Sequence, residues 1–170
     1  MEDISHLQLG KSKSEIRFDT LDDNRRIVHL LISQARTTID IFTRDFEPGV
    51  YDSTEFTACL KTLSLNNKRS KIRILIQEPS RCIREGHQVL NLAQKLTSYI
   101  EIRKPGYEHS QINEAFLVAD NTGYVHKQYA DRFEGTTNFN NPSTSDEKTR
   151  LFNEVWEMAE IDPNLRRLYL

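Results

Sequence analysis

The stretch N-E-A-F-L-V-A-D, Asn113 to Asp120, followed by N-T-G at 121–123 and by G-T-T-N at 135–138, decides the reading of this chain of 170 residues. Ala115–Ala119 is an uninterrupted apolar run of strand length, and Asp120-Asn-Thr-Gly123 is turn chemistry. Gly123–Gln128 therefore reads as the returning strand of a hairpin. A strand apolar at every position belongs where both faces of a sheet are covered.

Working outward, the element types alternate. Thr20 with Asp23 three places later is a helix start, and Ile27, Leu30 and Leu31 continue at helical spacing over roughly 21–35. Thr38–Thr43 is a strand, Pro48–Gly49 a turn, and Phe56, Leu60 and Leu63 mark a helix ending near Asn66–Asn67. Lys71–Gln77 alternates charged and apolar residues as a strand, Ile83–Leu96 presents Val89, Leu90, Leu92, Ala93 and Leu96 on one helical face, and Tyr99–Arg103 is a strand closed by Pro105–Gly106. A last helix is signalled from Ser145 through Leu151, Phe152, Val155, Trp156 and Ala159, ending before Asp162–Pro163. Helices alternating with strands, then a hairpin, give an α/β layered domain whose mixed sheet is flanked by helices. Residues 15–170 form that single domain, and 1–14 are expected to be a flexible tail.

Composition agrees with one folded unit: 37% of residues are hydrophobic, with eight Phe and one Trp, enough apolar surface to offset chain entropy. Cys59 and Cys82 have no metal-ligand partners at short spacing and read as buried thiols in helices. Neither a signal peptide nor a run of membrane-spanning length is present, which points to a bacterial cytoplasm. The net charge of −2 is uneven, because residues 61–104 hold ten Lys and Arg against three acids, Glu78, Glu85 and Glu101, a net of +7. That basic segment could meet nucleic acid, although no aromatics are interleaved as single-strand binding requires, so a solvated mixed surface is favoured.

The layout from Asn113 to Asn138 resembles the phosphodiesterase signature of the phospholipase D superfamily, in which HxKxxxxD on a strand is followed by a GSxN turn. Asp120 stands at the aspartate place, but Asn113 stands at the histidine place and Ala115 at the lysine place. Thr136 and Asn138 stand at the serine and asparagine places. The stretches ARTTIDIFTRDFEP, KIRILIQEPSRCIREGHQVLNLAQKLTSYIEIRK and FNEVWEMAEIDPNLRRLYL extend the resemblance over nearly all of 15–170. It is to a proteobacterial group of phospholipase D-like domains that lacks the catalytic motif and is sometimes attached to an acetyltransferase domain. The resemblance also implies a homodimer, since the superfamily shares an active site between two copies and only one is present here.

The missing chemistry has not moved elsewhere in the chain. In that mechanism histidine attacks phosphorus and lysine stabilises the phosphoryl oxygens. The residues two places beyond His6, His29, His87, His109 and His126 are Gln8, Leu31, Val89, Gln111 and Gln128, none of them lysine. No glycine-rich phosphate loop, GxSxG turn or helical histidine pair is present. The sequence therefore assigns no catalytic residue, no metal ligand and no cofactor, and leans away from an enzyme. Asn113, Asp120, Arg132, Thr136, Asn138 and Arg44 are the candidate ligand-binding set, expected to gather near strand ends. Each also has a plain structural use, Asp120 as a turn cap and Gly135-Thr-Thr-Asn138 as a loop.

Three functions stay open. The first is a non-catalytic binding or regulatory module for a phosphate-containing ligand or a protein partner such as an acetyltransferase domain. The second is a phosphodiesterase or transferase with a site rebuilt from His109, His126 or Glu114, and the third is nucleic-acid binding through 61–104.

Overall fold

The computed structural model describes residues 1–166, excluding the Arg166 side chain, so the last part of the stretch ending in RRLYL lies outside the described residues. Seven strands form one mixed sheet: β1 Ile16–Phe18, β2 Thr38–Thr43, β3 Lys71–Ile76, β4 Ile100–Arg103, β5 Ala115–Ala119, β6 Gly123–Lys127 and β7 Gly135–Asn138. Their order is β1-β7-β6-β5-β2-β3-β4. β2, β3 and β4 run parallel, whereas β5, β6, β7 and β1 pair antiparallel. The helices are α1 Leu21–Ser33, α2 Pro48–Tyr51, α3 Thr54–Asn66, α4 Ser80–Glu85, α5 Gln88–Lys95, α6 Pro142–Glu157 and α7 Pro163–Arg166. No helix among the described residues is long and apolar enough to cross a membrane.

Two-residue alternation along each strand builds two cores. Ile39, Ile41, Ile72, Ile74, Ile76, Leu117 and Ala119 face α1, α3 and α5. Phe42, Leu75, Phe116, Val118 and Tyr124 face α6 through Phe152, Val155 and Trp156. The second core holds one ion pair. Arg73 grips the buried Asp40 through two hydrogen bonds of 2.8 and 3.0 Å, beneath the rings of Phe152 and Trp156. Burial pushes the Asp40 carboxyl upward against the pull of Arg73. Arg103 on the next strand stacks on Trp156 at 4.2 Å and donates to its carbonyl at 3.0 Å, fastening the end of α6.

Several local expectations need correction. Ile83–Leu96 is not one helix: Gly86, at φ 69°, ends α4, and His87 caps α5 by accepting from Val89 N. Glycine allows that left-handed turn at no steric cost. The last helix starts at Pro142, with Asn141 capping through its side chain, because proline suits the first helical turn. Pro48–Gly49 opens the short α2. Gly135-Thr-Thr-Asn138 is strand β7 rather than a loop, held between β6 and the three residues of β1. The 1–14 segment packs onto the domain: Ile4 and Leu7 are buried, Gly10 N donates to Phe139 O at 2.8 Å, and Leu9 N to Gln34 Oε1 at 2.8 Å. Cys82 is a buried thiol pushed up to about 11 by that burial. Cys59 is only half-buried, its Sγ 3.7 Å from His29 Nε2.

Candidate functional site

The carboxyl ends of β2 and β3, the start of β5, the end of β6 and the start of β7 lie along one edge of the sheet. The residues just before β5 occupy its centre. Asn113 Oδ1 accepts from Arg44 Nη2 at 3.3 Å, the same guanidinium reaches Ile112 O at 3.5 Å and Glu78 at 3.4 Å, and Gln77 donates to Ile112 O at 2.9 Å. Every bond given by the Arg44 guanidinium is long for a charged donor. Its guanidinium is therefore loosely held.

Alternation sends the next residues to opposite faces. Ala115 lies on the α1 side, directly opposite Lys127 on β6. Lys127 is buried, its ammonium 2.6 Å from Glu47 and 2.9 Å from Ala130 O. A lysine thus stands one strand away from Ala115, already neutralised. Burial pushes the Glu47 carboxyl upward, opposed by the bond from Lys127. The sequence carried a signal for this pairing, since counting back from a turn at Asp120–Thr122 matches 115 with 127.

On the α6 side Glu114 Oε2 is 2.8 Å from His126 Nε2 and 2.7 Å from Lys148 of α6. The bond from His126 outweighs the opposing effect of burial and, joined by Lys148, holds the Glu114 carboxyl down at about 2. An ionised carboxylate only accepts, so His126 Nε2 donates to it. His126 lines two clefts. One, of about 540 Å³, includes Asn113, Gln128, Tyr129 and Lys148. The other, of about 680 Å³, includes Arg17, Gln128, Tyr129 and Thr136, and Thr136 stands directly across the strand pair from His126.

The remaining candidates go elsewhere. Asp120 ends β5 at the opposite edge of the sheet, where its carboxylate accepts from the main-chain N–H groups of Arg36, Thr37 and Thr38 and from the Thr37 hydroxyl. It fixes the start of β2 and does not face Asn113. Asn138 stands opposite Tyr124, two places farther along β7 than Thr136. Its amide is used up locally, donating to Lys13 O at 2.9 Å and accepting from Asn140 N at 2.9 Å. Arg132 is exposed, paired with Glu134 at 3.4 Å and stacked over Tyr129. His109 lies 3.8 Å from both Glu108 and Glu154. Among the described residues no group of three His, Cys, Asp or Glu could hold a metal ion. Of the sequence-stretch candidates, then, Arg44 and Asn113 meet each other and Glu114 meets His126, while Lys127, Glu47, Gln77 and Lys148 escaped the motif search because they lie outside the motif's spacing.

Comparison with solved structures places this architecture. A phospholipase D family member, Nuc from Salmonella typhimurium, superposes with a TM-score of 0.60 at 16% identity, covering 86% of this chain and 96% of that one. NucT from Helicobacter pylori gives 0.62 at 10% identity, covering 86% and 98%. TrmBL2, an archaeal chromatin protein described as showing a novel mode of DNA binding, gives 0.65 at 13% identity and 86% coverage, although this chain spans only 52% of its length. The fold is therefore that of phospholipase D proteins. No curated protein sequence matches the chain. A family model does match over residues 20–168, so the chain belongs to the family described as "Domain of unknown function (DUF7931)".

Proposed function

We propose that this chain is a non-catalytic phospholipase D-type module that binds a ligand carrying a phosphate or similar anion at the edge formed by Arg44 and Asn113. The observation that carries this reading is the pair itself: where the hydrolytic chemistry needs a histidine, Asn113 stands 3.3 Å from a loosely held, half-buried guanidinium. Asparagine hydrogen-bonds but does not form a phosphohistidine. Arginine recognises phosphate through paired N–H groups. Asp120 supports the reading from the other edge, since its oxygens serve the fold.

The test is thermal unfolding with pyrophosphate and with nucleoside mono- and diphosphates, beside a phosphodiester hydrolysis assay. A ligand at one hundred times its Kd stabilises by ~2.7 kcal/mol, and Arg44→Ala should remove that stabilisation. Failure of every anion to shift the transition would refute the reading, as would hydrolysis that survives Arg44→Ala.

A second reading rests on Glu114, His126 and Lys148. A carboxylate fixing one imidazole nitrogen leaves the other as a base in an open cleft, the layout of general-base catalysis. Hydrolysis of a phosphodiester that disappears in His126→Ala but persists in Arg44→Ala would favour this reading over the first.

A further inference from the structure

The ten cations of residues 61–104 do not act as one surface, because the fold spends three of them. Arg73 is clamped on Asp40, Arg81 pairs with Asp45 at 3.1 Å and Glu85 at 3.4 Å, and Arg103 pairs with Glu101 at 2.8 Å while stacking on Trp156. Lys68, Arg69 and Lys71 are different. All three are exposed, and among the described residues none has an acid within ion-pairing distance. They occupy the turn from α3 into β3, at the amino edge of the sheet.

That turn is stitched to the connection between α1 and β2. Asn67 Nδ2 donates to Arg36 O at 2.7 Å, Lys71 N donates to Thr37 O at 3.1 Å, and Lys71 is in register with Thr38. Arg36, exposed and with no acid paired to its guanidinium among the described residues, is thereby brought beside the other three. It comes from a part of the chain that a running charge count leaves out. Adjacent strands are ~4.8 Å apart, so four cations emerge from two neighbouring strand starts. The carboxylate bonded to these connections, Asp120, is occupied by the N–H groups of 36–38. Cations after a helix end complement the helix dipole, which accounts for Lys68, Arg69 and Arg36, each within two residues of a C-cap, but not for Lys71.

The surroundings narrow the partner. A groove of about 650 Å³ between α1 and α3 opens from this corner, lined by Arg36, Ser33, Thr62, Asn66 and Asn67 near it and by His29 and Glu55 toward its far end, with no Phe, Tyr or Trp in its wall. Single-strand binders stack bases on aromatic rings. Charge with hydroxyls and amides but without Phe, Tyr or Trp suits a phosphate backbone in which the bases stay paired.

We infer that the amino edge of β2 and β3, through Arg36, Lys68, Arg69 and Lys71, binds the phosphate backbone of duplex nucleic acid without reading its sequence. The surface lies at the other end of the strands from Arg44 and Asn113, roughly 20 Å away over six residues of strand, and is independent of the function proposed there.

The test uses the full chain and fluorescence anisotropy with a labelled 20-base-pair duplex and its scrambled counterpart, from 50 to 200 mM KCl. Four neutralised phosphates give a slope of log K against log salt of about −3 to −4, equal for both duplexes. Lys68→Glu with Arg69→Glu should weaken binding at least tenfold at 100 mM KCl and flatten the slope by about 2. Arg36→Glu alone should flatten it by about 1 or more. Arg84→Glu, exposed and without an ion-pair partner among the described residues, on α4 away from this edge, should bind as the parent does. Absence of binding at 50 mM KCl would overturn the inference. So would an Arg84→Glu loss equal to that of the double variant, which marks net charge alone, or competition by polyglutamate as effective as unlabelled duplex, which marks an acidic protein surface. Circular dichroism and melting of each variant confirm that it is folded before its slope is compared.

Discussion

Replacing Asp120 by alanine asks whether this carboxylate serves the fold or a ligand. Its carboxylate accepts from Thr37 N at 2.8 Å, Arg36 N at 2.9 Å, Thr37 Oγ1 at 2.9 Å and Thr38 N at 3.1 Å. Hydrogen bonds to a charged group contribute ~1.5–3 kcal/mol each where water is excluded. Most of these donors are exposed or half-buried, so water replaces part of the loss, and the four together contribute ~2 kcal/mol rather than their sum. A second cost is conformational: Asp120 sits at φ 53°, a region that Asp and Asn tolerate better than Ala, at about 1 kcal/mol. Asp120→Ala should therefore destabilise by ~3 kcal/mol, which for a domain of this size lowers Tm by roughly 6–12 °C. Asp120→Asn keeps the backbone preference and one acceptor and should cost only ~1 kcal/mol. Urea unfolding followed by far-ultraviolet circular dichroism measures both, with the m-value unchanged. An Asp120→Ala protein within ~0.5 kcal/mol of the parent would refute the assignment of this carboxylate to the fold.

Three other perturbations probe the same sheet. Glu114 is held at about 2 against an ordinary value of 4.5, so its ionised form stabilises the native state above about 4.5 and that contribution is lost as pH falls toward 2; the stability difference between parent and Glu114→Gln should be on the order of 2–3 kcal/mol at pH 7 and vanish near pH 2. Lys127→Met leaves the half-buried Glu47 without its ammonium and should cost ~3–5 kcal/mol, while Lys127→Met with Glu47→Gln should recover most of it, as a double-mutant cycle by chemical denaturation would show. Gly135→Ala places a methyl 2.5 Å from both His126 O and Phe18 Cζ, and since the carbonyl belongs to the β6 ladder it cannot give way; ~1–3 kcal/mol is lost, with faster amide exchange in Ile16–Phe18 as the local signature.

Element types were legible in the sequence because each depends on local pattern. Ala115–Ala119, the hairpin return at Gly123 and the strand Thr38–Thr43 stand where apolar runs and turn residues put them. The break at Gly86 and the strand Gly135–Asn138 were not legible. Four residues carrying two threonines and no apolar alternation become a strand only because β6 on one side and Ile16–Phe18 on the other satisfy their main-chain groups.

The candidate site divides the same way. By itself the sequence determined the fold class, since hydrophobic period and turn chemistry are properties of neighbouring residues, and it placed Asn113, Ala115 and Asp120 on and around one apolar strand. Only the tertiary structure decided which polar residues meet. Antiparallel register set Lys127 across from Ala115 and His126 beside Glu114, strand direction carried Asp120 to the far edge, and parallel pairing of β2 with β3 brought Arg36 to Lys71. The β5–β6 register can be counted from its own turn, whereas strand order and the register of segments distant in the chain arise from contacts that no local pattern encodes.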